Sequence, residues 1–170
     1  MYTRIIIGVD PAVTHGSNSD ETGIVVVGKG HDNKAYVLED LSIKEAPSVW
    51  AKRVVDTYHK YKAFCVVAEV NQGGDLVETL LKTVDPSLRF KAVRATKSKY
   101  SRAEPIAMLY EQGNVFHTRP FPELEEQMCT FVPGSGKSPD RVDALVWALT
   151  ELIGTPKPLK MPKVWGVSTV

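Results

Sequence analysis

Two carboxylates stand where apolar segments break off. Ile5-Ile6-Ile7-Gly8-Val9 runs into Asp10 and then Pro11, and Phe64-Cys65-Val66-Val67-Ala68 runs into Glu69. Short, β-branched apolar runs bounded by turn formers predict strands buried on both faces, so each acid falls at the carboxyl end of a strand. In open α/β sheets that edge is where loops set polar groups on a rigid frame. Asp143 is the third acid. It lies on a helix predicted to begin near Asp140, whose Val142, Leu145, Val146, Leu149 and Leu152 recur at i, i+3, i+4, i+7 spacing. Flanked by Val142, Ala144 and Leu145, its side chain leaves the core edge with little water around it, where an unpaired carboxylate is costly. Two plainer roles compete: Asp10 as the cap of an Asp-Pro turn, and Asp140 as the cap or dipole complement of its helix.

A divalent cation would remove the cost at Asp143. Acids from two strand ends and a late helix make an all-oxygen donor set suited to magnesium or manganese. The chemistry open to such a set is in-line phosphoryl displacement, in which two ions about 3.5–4 Å apart clamp the attacking and leaving oxygens. One acid must bridge both ions. Asp10, set between the strands, is the expected bridge.

The elements that must position these residues follow from periodicity and turn chemistry. Further strands are expected over Gly23 to Gly28, Lys34 to Ile43 and Arg89 to Ala95, with a short extended piece at Val115-Phe116. Pro47 opens a helix marked by Trp50, Val54, Tyr58 and Tyr61 that ends near Lys62. Leu76, Leu80 and Leu81 mark a second helix, and Ile106, Leu109 and Tyr110 a third, running from about Arg102 to Gly113. Leu124 and Met128 belong to another. This order predicts an α/β domain over residues 1–154, with a central mixed sheet of five or six strands flanked by helices, then a Pro/Lys-rich tail over 155–170.

Composition narrows the class. The 170 residues are 43% hydrophobic and 24% charged with a net charge of +1, values of a globular chain rather than a disordered or collagen-like one. Cys65 and Cys129 are too few for a disulfide framework and are expected to be small buried hydrophobes in a reducing compartment. There is no 18-residue apolar run and no signal-peptide pattern, so no membrane partner and a cytoplasmic setting are expected. Pro133-Gly134-Ser135-Gly136-Lys137-Ser138 ends like a phosphate-binding loop but lacks the earlier glycine and a preceding strand, so it is read as a loop. His15 and His117 are isolated and receive no catalytic role.

The ordered segments GVDPA, DETGIVVVG, VVAEVNQGGD, KSKYSRAEPIAMLYEQGNV and SPDRVDALVWAL resemble the carboxyl-terminal nuclease domain of phage large terminase subunits, of RNase H-like fold. The similarity extends from Ile5 to about Leu152. It implies a two-metal-ion endonuclease that cuts concatemeric double-stranded viral DNA during packaging in the host cytoplasm. It implies Asp10, Glu69 and Asp143 as the acidic triad, Asp20 and Asp140 as auxiliary acids, and magnesium or manganese as cofactor. The implied partners are double-stranded DNA, the terminase ATPase domain, the small terminase subunit and the portal. No Walker A sequence is present, so translocation is not expected of this chain.

From Arg89 to Ala103 the chain carries Arg89, Lys91, Arg94, Lys97, Lys99 and Arg102 and no acid. Neutralising phosphates is the sequence-independent part of DNA binding, so Lys97, Lys99, Arg102 and Arg94 are the expected DNA contacts, with Asn71 after Glu69. A solvated strand edge, where lysines discourage aggregation, is the plainer role for this run. Two alternatives differ in class: a nuclease resembling Holliday-junction resolvases, and a non-catalytic DNA-binding or docking module of the packaging machinery. An actin-like ATPase also opens on a similar strand, but it needs a duplicated domain for which this chain has no room.

Overall fold

Side-chain alternation along β1 (Arg4–Asp10) decides the layering of the molecule. Ile7 and Val9 point to one face and Ile6 to the other, and each joins a separate buried cluster. The computed structural model describes residues 1–11, 21–70, 75–96, 98–131 and 139–154. β1 pairs antiparallel with β2 (Gly23–Lys29), which pairs antiparallel with β3 (Ala35–Asp40). On its other side β1 pairs in parallel with β4 (Cys65–Glu69), itself parallel to the edge strand β5 (Phe90–Val93). β6 (Val115–His117) adds in parallel to β3, giving six strands in the order β5-β4-β1-β2-β3-β6.

Helices cover both faces. α1 (Pro47–Tyr61) and α2 (Asp75–Val84) occupy the face of Ile7 and Val9, where Trp50, Ala51, Val54 and Leu81 join the core. α3 (Lys99–Glu111), α4 (Pro122–Thr130) and α5 (Asp140–Ile153) lie on the face of Ile6. α5 is buried along most of its length and packs on β1 and β2. Two glycines permit this: a Cβ at Gly8 would overlap the Ala144 carbonyl oxygen, and one at Gly23 the Asp140 carbonyl oxygen. Helix backbone therefore rests directly on sheet backbone.

Several expectations need correction. The third strand ends at Asp40, and Ile43 makes only an isolated bridge to Thr22. The fifth is shortened to Phe90–Val93, with Ala92 exposed at the sheet edge rather than part of the core. Leu76 is exposed on α2, and Cys129 is exposed on α4, so only Cys65 behaves as a buried hydrophobe. α3 begins at Lys99, one turn before the expected start, because the Ser98 hydroxyl accepts the Ser101 backbone N–H as an N-cap. The loop at 133–138 and the tail from 155 lie outside the described residues. Among the described residues, no helix is long and apolar enough to cross a membrane.

Candidate metal centre

The period of two that buries Ile6 also places Asp10 on the α5 side of β1, and on β4 the alternation of Cys65 and Val67 places Glu69 on that side. The register pairs Val9 with Ala68, so the two acids emerge side by side one step later. From above, α5 delivers Asp140 and Asp143, three residues apart on one helix face. Asp143 is only 3% exposed and Asp140 8%. Burial first, and then the neighbouring acids Asp143, Asp140 and Glu69, push the Asp10 carboxyl up to about 8 against the opposing Lys99 charge. Burial likewise raises Asp143, against the counteracting Lys99 ammonium.

Two cations from α3 enter this cluster. The Lys99 ammonium forms an ion pair with Asp143 Oδ2 and lies 3.9 Å from Asp10 Oδ2. Burial would lower the Lys99 pKa, but the contacts with Asp143 and Asp10 outweigh it and raise it. One helical turn on, Arg102 Nη1 donates to Glu69 Oε2 at 2.9 Å. The Trp147 indole N–H donates to the same oxygen at 3.3 Å, and the Arg102 guanidinium stacks 4.4 Å from the Trp147 ring centre. Among the described residues, no three His, Cys, Asp or Glu side chains converge tightly enough to enclose an ion. Lys99 instead holds a positive charge between Asp10 and Asp143. It is a stand-in cation at the point where the acids need one.

This arrangement suits a hard divalent ion. The donors are carboxylate oxygens, Asp143 Oδ2 is buried with the Lys99 ammonium as its partner, and Asp10 is raised towards protonation even beside that charge.

The sequence matches the family model described as the terminase RNaseH-like domain over residues 7–152. The chain belongs to this terminase family. None of the curated proteins matches it significantly. Among solved structures it is similar to the large terminase nuclease from thermophilic phage G20c, at 18% identity and a TM-score of 0.65, over 87% of this chain and 82% of that one. That nuclease has also been solved with bound zinc, magnesium or cobalt. The large terminase of a second thermophilic bacteriophage, in complex with ADP, is 11% identical with a TM-score of 0.68, over 91% of this chain and 40% of that one. RuvC of T. thermophilus in complex with a Holliday junction substrate is 17% identical with a TM-score of 0.51, over 89% and 97%. The RNase H-like α/β fold is thereby shown.

In this terminase domain, then, Asp10, Glu69, Asp143 and Asp140 are brought to one edge of the sheet, while Asp20, Asn71 and Lys97 lie outside the described residues. Lys99 and Arg102 face the acids, and Arg94 is exposed just beyond β5. Sequence reasoning missed Trp147, which lies four residues beyond Asp143 and hence on the same helix face. It also missed Arg141, whose guanidinium donates to both oxygens of Glu21 at 2.8 and 2.6 Å and to Asp40 Oδ2 at 2.5 Å, tying the start of α5 to the β2–β3 side. His117, read as isolated, is within hydrogen-bonding distance of the Tyr110 hydroxyl and Glu125, both at 2.8 Å, as a satisfied structural histidine.

Proposed function

We propose that this domain is a two-metal-ion endonuclease that cleaves concatemeric double-stranded viral DNA during genome packaging. The observation that carries the reading is the Lys99 ammonium set between Asp10 and Asp143, a positive charge held among acids whose pKa burial raises. Family membership and the metal-bound G20c nuclease structures support it.

Asp10, Asp143 and Glu69 would hold magnesium or manganese, with Asp140 and Asp20 as supplementary acids. When bound, the ions make the attacking water more acidic and stabilise the departing 3′ oxygen. Asp10, between the other acids, would be the residue shared by the two ions. Lys99 is 42% exposed at its side chain, so once displaced from the acids it reaches outward to a phosphate of the incoming strand. Arg94, Lys97 and Asn71 are the further proposed contacts to the DNA backbone. Arg102 stays with Glu69, a different role from the phosphate contact expected of the basic run. In the motor the domain works with the ATPase domain, the small terminase subunit and the portal, a setting supported by the likeness to the ADP-bound large terminase, of which this chain spans well under half.

A second reading, a junction-resolving nuclease, is favoured by the fold likeness to RuvC. Plasmid nicking and linear-duplex cleavage with magnesium, beside a four-way junction substrate, separate the two. We expect duplex cleavage that Asp10→Asn abolishes. Equal cleavage by that variant would sink the nuclease assignment, and cleavage confined to junctions would favour the resolvase.

A further inference from the structure

Glu69 differs from the other acids in how it is held. Both of its donors, Arg102 Nη1 and Trp147 Nε1, fall on one oxygen, Oε2. The donors are fixed to each other by the stack of guanidinium on indole, and both are well buried, the Arg102 side chain at 10% exposure. Arg102 Nε is buried without an acceptor. A buried donor left unpaired costs roughly 1–3 kcal/mol, so this guanidinium is not placed where its own hydrogen bonding is best. It is placed flat on Trp147 with one N–H on Glu69.

We propose that Arg102 and Trp147 are positioning residues that occupy Oε2 and so limit Glu69 to a single ligand oxygen, Oε1, thereby selecting magnesium-like over calcium-like ions. The inference rests on the metal-centre reading above. Magnesium takes six ligands at near-ideal octahedral geometry and suits one oxygen per carboxylate. Calcium takes 6–8 oxygens and readily uses both oxygens of one carboxylate. A carboxylate with one oxygen committed to two protein donors can serve the first ion but must break those bonds to chelate the second. Such outer partners commonly change metal affinity by about 10–100-fold.

Calorimetric titration of the DNA-free protein with magnesium and with calcium tests this without reference to cleavage. Trp147→Phe keeps an aromatic ring for the stack, leaves the net charge unchanged and removes one donor from Oε2. Arg102→Met removes the other donor. It also removes a positive charge, which strengthens binding of both ions alike and so cancels in the ratio of their affinities. We expect the preference for magnesium over calcium to narrow roughly tenfold in each folded variant. An unchanged ratio in either folded variant overturns the proposal. Asp10→Asn is the reference: wild-type binding indistinguishable from that variant's removes the metal centre itself, whereas Asp10-dependent binding with unchanged ratios removes only the role of Arg102 and Trp147.

Discussion

On the proposed reading, Asp10 would carry opposite demands from stability and from chemistry. Its carboxyl is pushed from an ordinary 3.8 up to about 8, by burial first and by the surrounding acids second. A carboxyl whose pKa is higher folded than unfolded takes up a proton on folding between those two values. Its contribution to stability is therefore most favourable below about pH 4 and is lost as pH rises towards 8. Asp143, also raised, acts in the same direction. In chelator, we expect chemical denaturation to show a stability that falls between about pH 5 and 8, and a shallower fall in Asp10→Asn. That variant would be more stable than wild type at about pH 8 and inactive, the trade-off of a site that tolerates repulsion for function. A wild-type stability that rises over this window would contradict the origin assigned to the shift.

At the scale of elements, the centre depends on how closely α5 approaches the sheet. Asp140 and Asp143 reach Asp10 because Gly8 and Gly23 let helix backbone rest on strand backbone. Gly8→Ala would place its methyl against the Ala144 carbonyl oxygen and 2.8 Å from the Ala148 Cβ, contacts that only a shift of α5 relieves. Overpacking of this kind costs about 1–3 kcal/mol, and the shift would carry Asp143 away from Asp10. We expect a lowered denaturation midpoint together with weaker magnesium binding; an unchanged midpoint would show that α5 is not tightly seated. The placement of Asp10 and Glu69 was legible in sequence, since alternation from Ile6 and from Cys65 puts both acids on one face at one edge. The depth of Gly8 was not, because a glycine in a strand gives no sign of what lies above it. The direction in which Lys99 and Arg102 point was not legible for a related reason. A run of basic residues shows charge without direction, and direction came from the Ser98 cap, which starts α3 early enough to turn both side chains, three residues apart, towards the acids.

At the scale of the whole molecule, the proposed metal binding would be linked to folding, and this linkage separates the enzyme reading from a passive docking module. An ion that binds only the folded chain stabilises it by RT ln(1 + [L]/Kd), about 2.7 kcal/mol at a hundredfold excess over the dissociation constant. For a domain of this size each kcal/mol raises the melting temperature by roughly 2–4 °C, so saturating magnesium should add about 5–10 °C. On the proposed reading the gain would draw on particular groups: Asp10 and Asp143 would exchange repulsion for ligation, and Lys99 would be released from its ion pair with Asp143. Asp10→Asn and Asp143→Asn should each lose most of the shift. Lys99→Met should retain it, at a lower magnesium concentration, because the competing ammonium is gone. A docking module without a metal centre predicts the same melting temperature in magnesium and in chelator for all four proteins. A shift present in wild type but equally large in Asp10→Asn and Asp143→Asn would place the ion elsewhere on the domain and detach the acids at the sheet edge from the chemistry assigned to them.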